Sequence, residues 1–194
     1  LEASTGRELS ALEEISSEWM SSDFTMNSKA HEWLAPNAIV AVVLSKEATG
    51  SNHEPKKQLA RWNIETGKMD ALNPAPQVTC LAAHPKGEWL AEGGDDKRLR
   101  IRDTQTLEIK KTFRVHDSPV IGLAWHPSLP LLVSVAADGV ARIWDSRTWK
   151  MVQELKVEAA SNLAVEIIGE GTHLVLYQGY AGRLNVYEPT AFQK

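Results

Sequence analysis

The stretch Leu131–Trp149, LLVSVAADGVARIWDSRTW, carries the pattern that decides the fold. Leu131–Ala136 is rich in aliphatic and β-branched residues, and Ala137-Asp138-Gly139 supplies a tight turn in which glycine can take a positive φ. Val140–Trp144 then resumes an extended run, so the stretch predicts a β-hairpin. The Trp144-Asp145 pair closes the hairpin, and another predicted strand begins a few residues later.

This hairpin is repeated along the chain. Val78–Asp103 aligns with Val120–Asp145 without a gap, at an offset of 42 residues. A third copy covers Leu174–Glu188, and a fourth, earlier copy ends in Arg61-Trp62-Asn63. Agreement spread over three predicted strands and two turns indicates that one supersecondary unit recurs throughout the chain.

The repeat boundaries divide a single domain, residues 1–194, into repeats of about 14–72, 73–114, 115–156 and 157–194. An orphan outer strand is predicted at 7–13, because Ser4–Leu9 resembles the segment that opens the last strand of the other repeats. An alternative for Arg7–Met20 is an amphipathic helix. The apolar residues at near-helical spacing are Leu9, Leu12, Ile15 and Trp19.

Composition limits the class of protein. A hydrophobic content of 43% and a charged content of 24% are typical of a soluble globular domain. The formal net charge of −4 argues against a nucleic-acid partner, and no apolar run approaches the ~20 residues that span a bilayer. The single cysteine, Cys80, excludes an internal disulfide framework. We therefore expect a soluble, cytoplasmic protein without nucleic-acid or membrane partners.

Four copies of about 42 residues, each ending in a Trp-Asp-like pair, resemble WD40 repeats. The resemblance implies an all-β fold of four four-stranded antiparallel sheets, arranged as β-propeller blades. Such blades usually form larger rings, so four imply half of an eight-bladed ring, completed by dimerisation or by missing repeats. A four-bladed ring closing alone is the remaining alternative. The orphan strand at 7–13 resembles the clasp that completes the last blade of such rings.

The resemblance also implies a buried hydrogen-bonded tetrad in the third repeat. It comprises His from the loop before the first strand, Ser from the second strand, Asp from the hairpin turn and Trp from the third strand. These are His116, Ser134, Asp138 and Trp144. Buried imidazole and indole groups need such partners.

The sequence shows no catalytic constellation, so we expect no enzymatic activity, metal or cofactor. The histidines lack metal-ligand spacing, and His84 and His126 precede proline at equivalent turns of the repeat. Cys80 lies on a predicted first strand without an activating cation beside it, which favours an inert buried thiol.

Partner binding is predicted at two kinds of site. Arg98, Arg100 and Arg102 alternate with Leu99 and Ile101, which places three guanidinium groups on one strand face. They form either a patch for an acidic partner or a phosphate, or a face that is solvated or engaged in salt bridges between sheets. The second site comprises two enlarged loops of the first repeat. Its candidate residues are Trp19, Phe24 and His53.

These features predict a non-catalytic protein–protein interaction scaffold. Its expected partners are an unidentified protein, together with a second copy in a homodimer or the remaining blades of a longer propeller. The alternative is a regulatory or sensor segment of a larger multidomain signalling protein or enzyme.

Overall fold

The computed structural model describes residues 31–34, 37–45, 56–157, 163–178 and 182–193. Within these ranges the chain forms four separate antiparallel sheets, here numbered sheet 1 to sheet 4, and two short 3-10 turns. Sheet 1 comprises β1 His31–Leu34, β2 Ala38–Ser45, β3 Lys56–Asn63 and β4 Met69–Pro74. Sheet 2 comprises β5 Val78–Ala83, β6 Trp89–Gly94, β7 Arg98–Asp103 and β8 Ile109–Arg114. Sheet 3 comprises β9 Val120–Trp125, β10 Leu131–Ala136, β11 Val140–Asp145 and β12 Lys150–Lys156. Sheet 4 comprises β13 Leu163–Ile168, β14 His173–Gln178 and β15 Arg183–Tyr187.

Each sheet follows the chain strand by strand, so the repeats are four successive β-meanders. The all-β architecture expected from the repeat is confirmed. Sheets 1–3 have four strands, and sheet 4 has three strands among the described residues. The predicted orphan strand at 7–13 and the alternative helix over Arg7–Met20 both lie outside the described residues. One of the two enlarged loops predicted in the first repeat covers Ser45–Lys57, and the structure places Ser45 at the end of β2 and Lys56 and Lys57 in β3.

The Trp-Asp-like pairs end the third strand of each sheet for a physical reason. In sheet 3 the Asp145 carboxylate accepts the backbone N–H groups of Arg147 and Thr148 at 2.9 and 3.1 Å. Asp103 accepts the equivalent bonds in sheet 2, both at 2.9 Å. These bonds hold the pKa of both carboxyl groups below the usual range, with the Arg147 side chain as the largest cause at Asp145. The aspartate therefore fixes the turn into the fourth strand.

The sheets pack face to face in chain order, and their first strands lie side by side along one edge. Strand β5 contacts β1 and β9, and β9 contacts β13. An apolar cluster fills each space between sheets, with Leu34 and Leu81 between sheets 1 and 2 and Leu123 and Leu132 between sheets 2 and 3. Both faces of an interior sheet are therefore buried, which leaves the turns and the fourth strands as its main exposed surfaces.

Candidate functional site

In sheet 3 the structure joins three of the four predicted tetrad residues. His116 Nε2 lies 2.8 Å from Ser134 Oγ, and the Trp144 indole N–H donates to the same oxygen at 2.9 Å. All three side chains are buried. The network links the loop before the sheet to its second and third strands, and hence stabilises the sheet rather than presenting a reactive group.

Asp138 does not complete this network. Its Oδ1 atom accepts the backbone N–H of Val140 at 3.2 Å, and the residue lies exposed on the hairpin turn. The buried Nδ1 atom of His116 has no hydrogen-bond partner. Because Asp138 bonds to its own turn and not to the imidazole, the described hydrogen-bonded network has three members.

Burial of His116 makes the stability of the protein dependent on pH. Desolvation, followed by the nearby charge of Arg142, lowers the pKa of His116 to about 4 from a model-peptide value of 6.5. The unfolded chain therefore binds a proton at a pH where the folded chain does not, so stability is complete above 6.5 and falls as the pH decreases toward 4. We expect a loss of about 2 kcal/mol between pH 7 and pH 5.

Urea unfolding at several pH values measures this loss. Burial also lowers the pKa of His84 and His126, so those residues act in the same direction. The His116→Asn variant should have a flatter pH profile than the unmodified chain. An unchanged slope in that variant would assign the pH dependence to other groups.

Sheet 2 has a network of ion pairs at the positions where sheet 3 has the neutral hydrogen-bonded network of Ser134 and Trp144. Glu92 and Arg102 occupy the positions of Ser134 and Trp144, and both are buried. Arg102 Nε donates to Glu92 Oε2 at 2.6 Å. Its two terminal nitrogens donate to the carbonyl of Leu107 at 2.7 Å and to that of Pro74, in sheet 1, at 3.0 Å. The guanidinium group therefore joins sheet 2 to sheet 1.

The predicted arginine patch divides into three different environments. Arg102 is enclosed as described, so it is unavailable to a partner. Arg100 bonds to the Asp96 carboxylate and lies 3.4 Å from Glu92 Oε1, which leaves it mostly buried. Arg98 is exposed, with a long contact of 3.9 Å to Asp96. The salt bridges of Arg100 and Arg102 lie within sheet 2 rather than between sheets, and the contact of Arg102 with sheet 1 is a hydrogen bond to a carbonyl. Arg98 alone of the three presents its charge to solvent.

The described residues include one arrangement of hydroxyl, imidazole and carboxylate groups. Thr172 Oγ lies 2.7 Å from His173 Nδ1, and His173 Nε2 lies 3.2 Å from Glu188 Oε1. The Thr172 hydroxyl also donates to the carbonyl of Gly169 at 2.7 Å. Its proton is therefore directed at a backbone acceptor rather than at the imidazole, so the group does not have the geometry of an activated nucleophile.

Other reactive chemistry has little support in the described ranges. Cys80 is buried, and desolvation raises the pKa of its thiol to about 12, which makes it unreactive at neutral pH. No group of three or more His, Cys, Asp or Glu side chains there is placed to hold a metal ion. The described residues also form no helix that is long and apolar enough to cross a bilayer.

The two histidines at the His-Pro turns act between sheets. His126 Nε2 lies 2.8 Å from the carbonyl of Gly171, in the 3-10 turn between β13 and β14, and its Nδ1 accepts the backbone N–H of Leu129 at 2.9 Å. The His84 ring packs edge-on against Trp125 of sheet 3, with ring centroids 4.8 Å apart. Both histidines thus contact the next repeat, His126 through a hydrogen bond and His84 through its ring.

A cleft of about 260 Å³ lies where the first strands converge. All four sheets contribute to its walls, which expose more polar than apolar surface. The lining residues are Glu32, Ala82, Ala83, Ala124, Trp125, Val165, Glu166 and Ile167. The cleft follows the line around which the four sheets are arranged.

Three predicted binding residues, Trp19, Phe24 and His53, lie outside the described residues, so their role stays a prediction. Sequence reasoning did not single out Trp125, which is buried between sheets 2 and 3, or Trp33, which is exposed at the equivalent position of sheet 1. Trp33 is the next-to-last residue of β1, and Trp125 is the last residue of β9. The two occupy equivalent positions, since Trp33 pairs with Ile39 of β2 and Trp125 pairs with Leu132, the equivalent residue of β10. Aligning the first strands of the repeats by these tryptophans would have revealed the equivalence.

Comparison with known proteins agrees with this architecture. The family model described as "WD domain, G-beta repeat" matches residues 72–103 and 107–145. Protein TOPLESS of Arabidopsis thaliana is 26% identical over 184 residues, covering 89% of this chain and 16% of that protein. An uncharacterized WD repeat-containing protein of Schizosaccharomyces pombe is 33% identical over 79 residues, covering 41% of this chain and 15% of the other.

A crystal structure of RRP9 WD40 repeats superposes with a TM-score of 0.55 at 20% identity, covering 78% of this chain and 48% of that one. That likeness concerns the fold. Sheets, repeats and structural neighbours together define the class as a β-propeller-type repeat protein. The matches of residues 72–103 and 107–145 to that family model show that the chain contains WD40 repeats. It spans less than a fifth of the length of the two curated relatives.

Proposed function

We propose that this chain is a non-catalytic protein-interaction scaffold. The observation that carries the proposal is that its buried polar side chains hold the sheets together. His116, Ser134, Glu92 and Arg102 are buried in networks within and between the sheets. Such networks make the sheets a stable frame, and binding residues in frames of this kind lie on the exposed loops and turns.

The interaction surface includes the turns at one end of the sheets. Arg98 supplies an exposed positive charge beside the β6–β7 turn, which suits an acidic side chain on a partner. The predicted aromatic anchors Trp19 and Phe24 belong to the connection before β1. Aromatic and arginine side chains commonly dominate the binding energy of protein interfaces.

The proposal is tested by purifying the proteins that bind the full-length gene product and then measuring each purified pair by calorimetry. Replacing Trp19 and Phe24 together by alanine, or Arg98 by glutamate, should weaken the affinity at least about tenfold. Lys150→Glu is the control, because Lys150 is also an exposed cation but lies at the start of β12, at the end of sheet 3 away from the β10–β11 turn. Equal affinities in all these variants would contradict the assignment of the surface.

A second proposal is that the chain acts as the regulatory or sensor segment of a larger multidomain protein. It is favoured because the matched region occupies only 16% of TOPLESS. Deleting this segment from the full-length gene product would then alter the activity of the remaining domains. In a simple scaffold the deletion would abolish partner binding and leave any other activity unchanged.

A further inference from the structure

Strands β7 and β8 bring two arginines directly opposite each other at one end of sheet 2. Arg98 pairs with Arg114 in the antiparallel register, so the two side chains lie on the same face of the sheet. Their side chains are 49% and 58% exposed. Like charges at directly opposite positions repel each other and destabilise a sheet, so this pair is unfavourable until an anion neutralises it.

The carboxylates beside the pair neutralise it only in part. Arg98 lies 3.9 Å from Asp96, and that carboxylate already bonds to Arg100. Arg114 donates to the Asp117 carboxylate at 2.9 Å, but the Asp117 side chain is 83% exposed, and an ion pair in solvent contributes little. Both guanidinium groups therefore keep most of their capacity to bind a stronger anion.

The two other four-stranded sheets do not have a like-charged pair at this position. The equivalent cross-strand pairs are Gln58 with Pro74 in sheet 1 and Val140 with Lys156 in sheet 3. Each of them carries at most one charge. Since these sheets form the same arrangement of third and fourth strands, the fold does not require two arginines there, and the pair in sheet 2 is suited to a binding role.

We infer that Arg98 and Arg114 together bind a phosphorylated side chain on a protein partner. A phosphate monoester carries a charge of about −1.5 to −2 at neutral pH and three acceptor oxygens, so it can accept hydrogen bonds from both guanidinium groups at once. A carboxylate carries a single charge and matches only one of them. The Arg114 Nε–H donates to the carbonyl of His116 at 3.2 Å, which holds one guanidinium in place. The inference rests on the proposed scaffold function and adds phosphorylation of the partner as the means of its regulation.

The surroundings of the pair favour a single phosphoryl group over the backbone of a nucleic acid. Asp95 and Asp117 are exposed on either side of the two arginines in sequence, and the chain as a whole has a formal net charge of −4. A nucleic-acid backbone is bound by a surface with many cations, and it would meet these carboxylates. A compact phosphoryl group contacts the two arginines and extends no further.

The experiment measures binding of the full-length gene product to three pools of synthetic peptides that share the same randomised flanking residues. The central residue is a phosphorylated serine, threonine or tyrosine in the first pool, the same residues without phosphate in the second, and glutamate in the third. The phosphorylated pool should bind at least about fivefold more tightly than the others, and the preference should weaken as the salt concentration rises. Arg98→Gln and Arg114→Gln should each remove most of that preference.

Arg147→Gln is the matched control. Arg147 is also an exposed arginine paired with an aspartate, Asp145 at 2.6 Å, but it lies in the β11–β12 turn and should leave the preference unchanged. Urea unfolding supplies a readout that separates binding from structure. Arg98→Gln and Arg114→Gln should unfold at the same urea concentration as the unmodified chain or at a higher one, because each removes a repulsion between like charges.

Five results would overturn the inference. They are equal binding of the three pools, a preference that survives both glutamine substitutions, its loss in Arg147→Gln, tighter binding to an RNA oligonucleotide than to the phosphorylated pool, and a lower urea midpoint in both glutamine variants. The partners purified to test the scaffold function distinguish the two proposals. Partners that bind equally well after phosphatase treatment would refute the phosphoryl site and leave the scaffold function standing, whereas the absence of any protein partner would contradict both.

Discussion

Replacement of Glu92 by alanine is expected to lower the free energy of unfolding by about 3–5 kcal/mol. The substitution removes the carboxylate 2.6 Å from Arg102 Nε and leaves that guanidinium buried without its counter-charge. Arg100 loses a second carboxylate at 3.4 Å. Because a buried charge without a partner costs several kcal/mol, the loss should exceed that of a typical substitution.

Urea unfolding measures the effect, and the repeat supplies a rescue. Glu92→Ser with Arg102→Trp recreates the pair that Ser134 and Trp144 form in sheet 3, where the indole N–H donates to the hydroxyl at 2.9 Å. The double variant should be more stable than Glu92→Ser alone, which a double-mutant cycle would report as a favourable coupling.

Glu108→Ala is the control, because Glu108 pairs with Lys110 in solvent and should contribute less than about 1 kcal/mol. A similar, small effect of Glu92→Ala would contradict the role of the network.

The sheets and their order were predictable because the repeat is long and the interactions that form each hairpin join residues close in sequence. Alternating apolar residues, glycine turns and an aspartate that accepts two backbone N–H groups recur at the same offset, as in Asp103 and Asp145. Each of these devices acts within a few residues. The sequence also indicated that Glu92 and Arg102 replace Ser134 and Trp144.

The environment of the arginines was less predictable. Alternation along β7 places Arg98, Arg100 and Arg102 on one face, but it does not distinguish a solvent face from a face covered by another sheet. In a stack of sheets both faces of an interior strand are packed, so the position along the strand decides exposure. Arg102, at the end near Pro74 of sheet 1, is enclosed, whereas Arg98 at the other end is open.

Asp138 illustrates a different limit. The residue type fits a tetrad, but a carboxylate on a hairpin turn can also accept a backbone N–H two residues ahead, and Asp138 bonds to Val140 in this way. The two choices differ by a side-chain rotation that no sequence pattern specifies. The contacts of Trp125 were missed for a related reason, because they depend on the neighbouring sheet rather than on the hairpin itself.

Replacement of Trp125 by alanine is expected to destabilise the fold by about 3–5 kcal/mol. Trp125 is buried between sheets 2 and 3, where its indole packs against His84 and donates to the carbonyl of Ala82. Its removal leaves a cavity and a buried carbonyl without that donor. Trp125→Phe keeps most of the packing and loses the hydrogen bond, so it should cost about 1–3 kcal/mol.

Trp33 provides the matched comparison because it has the same residue type at the equivalent position and is 56% exposed. Trp33→Ala should therefore change the free energy of unfolding by less than about 1 kcal/mol, measured by urea unfolding beside Trp125→Ala. Equal losses of stability for alanine at both positions would contradict the difference that their burial predicts.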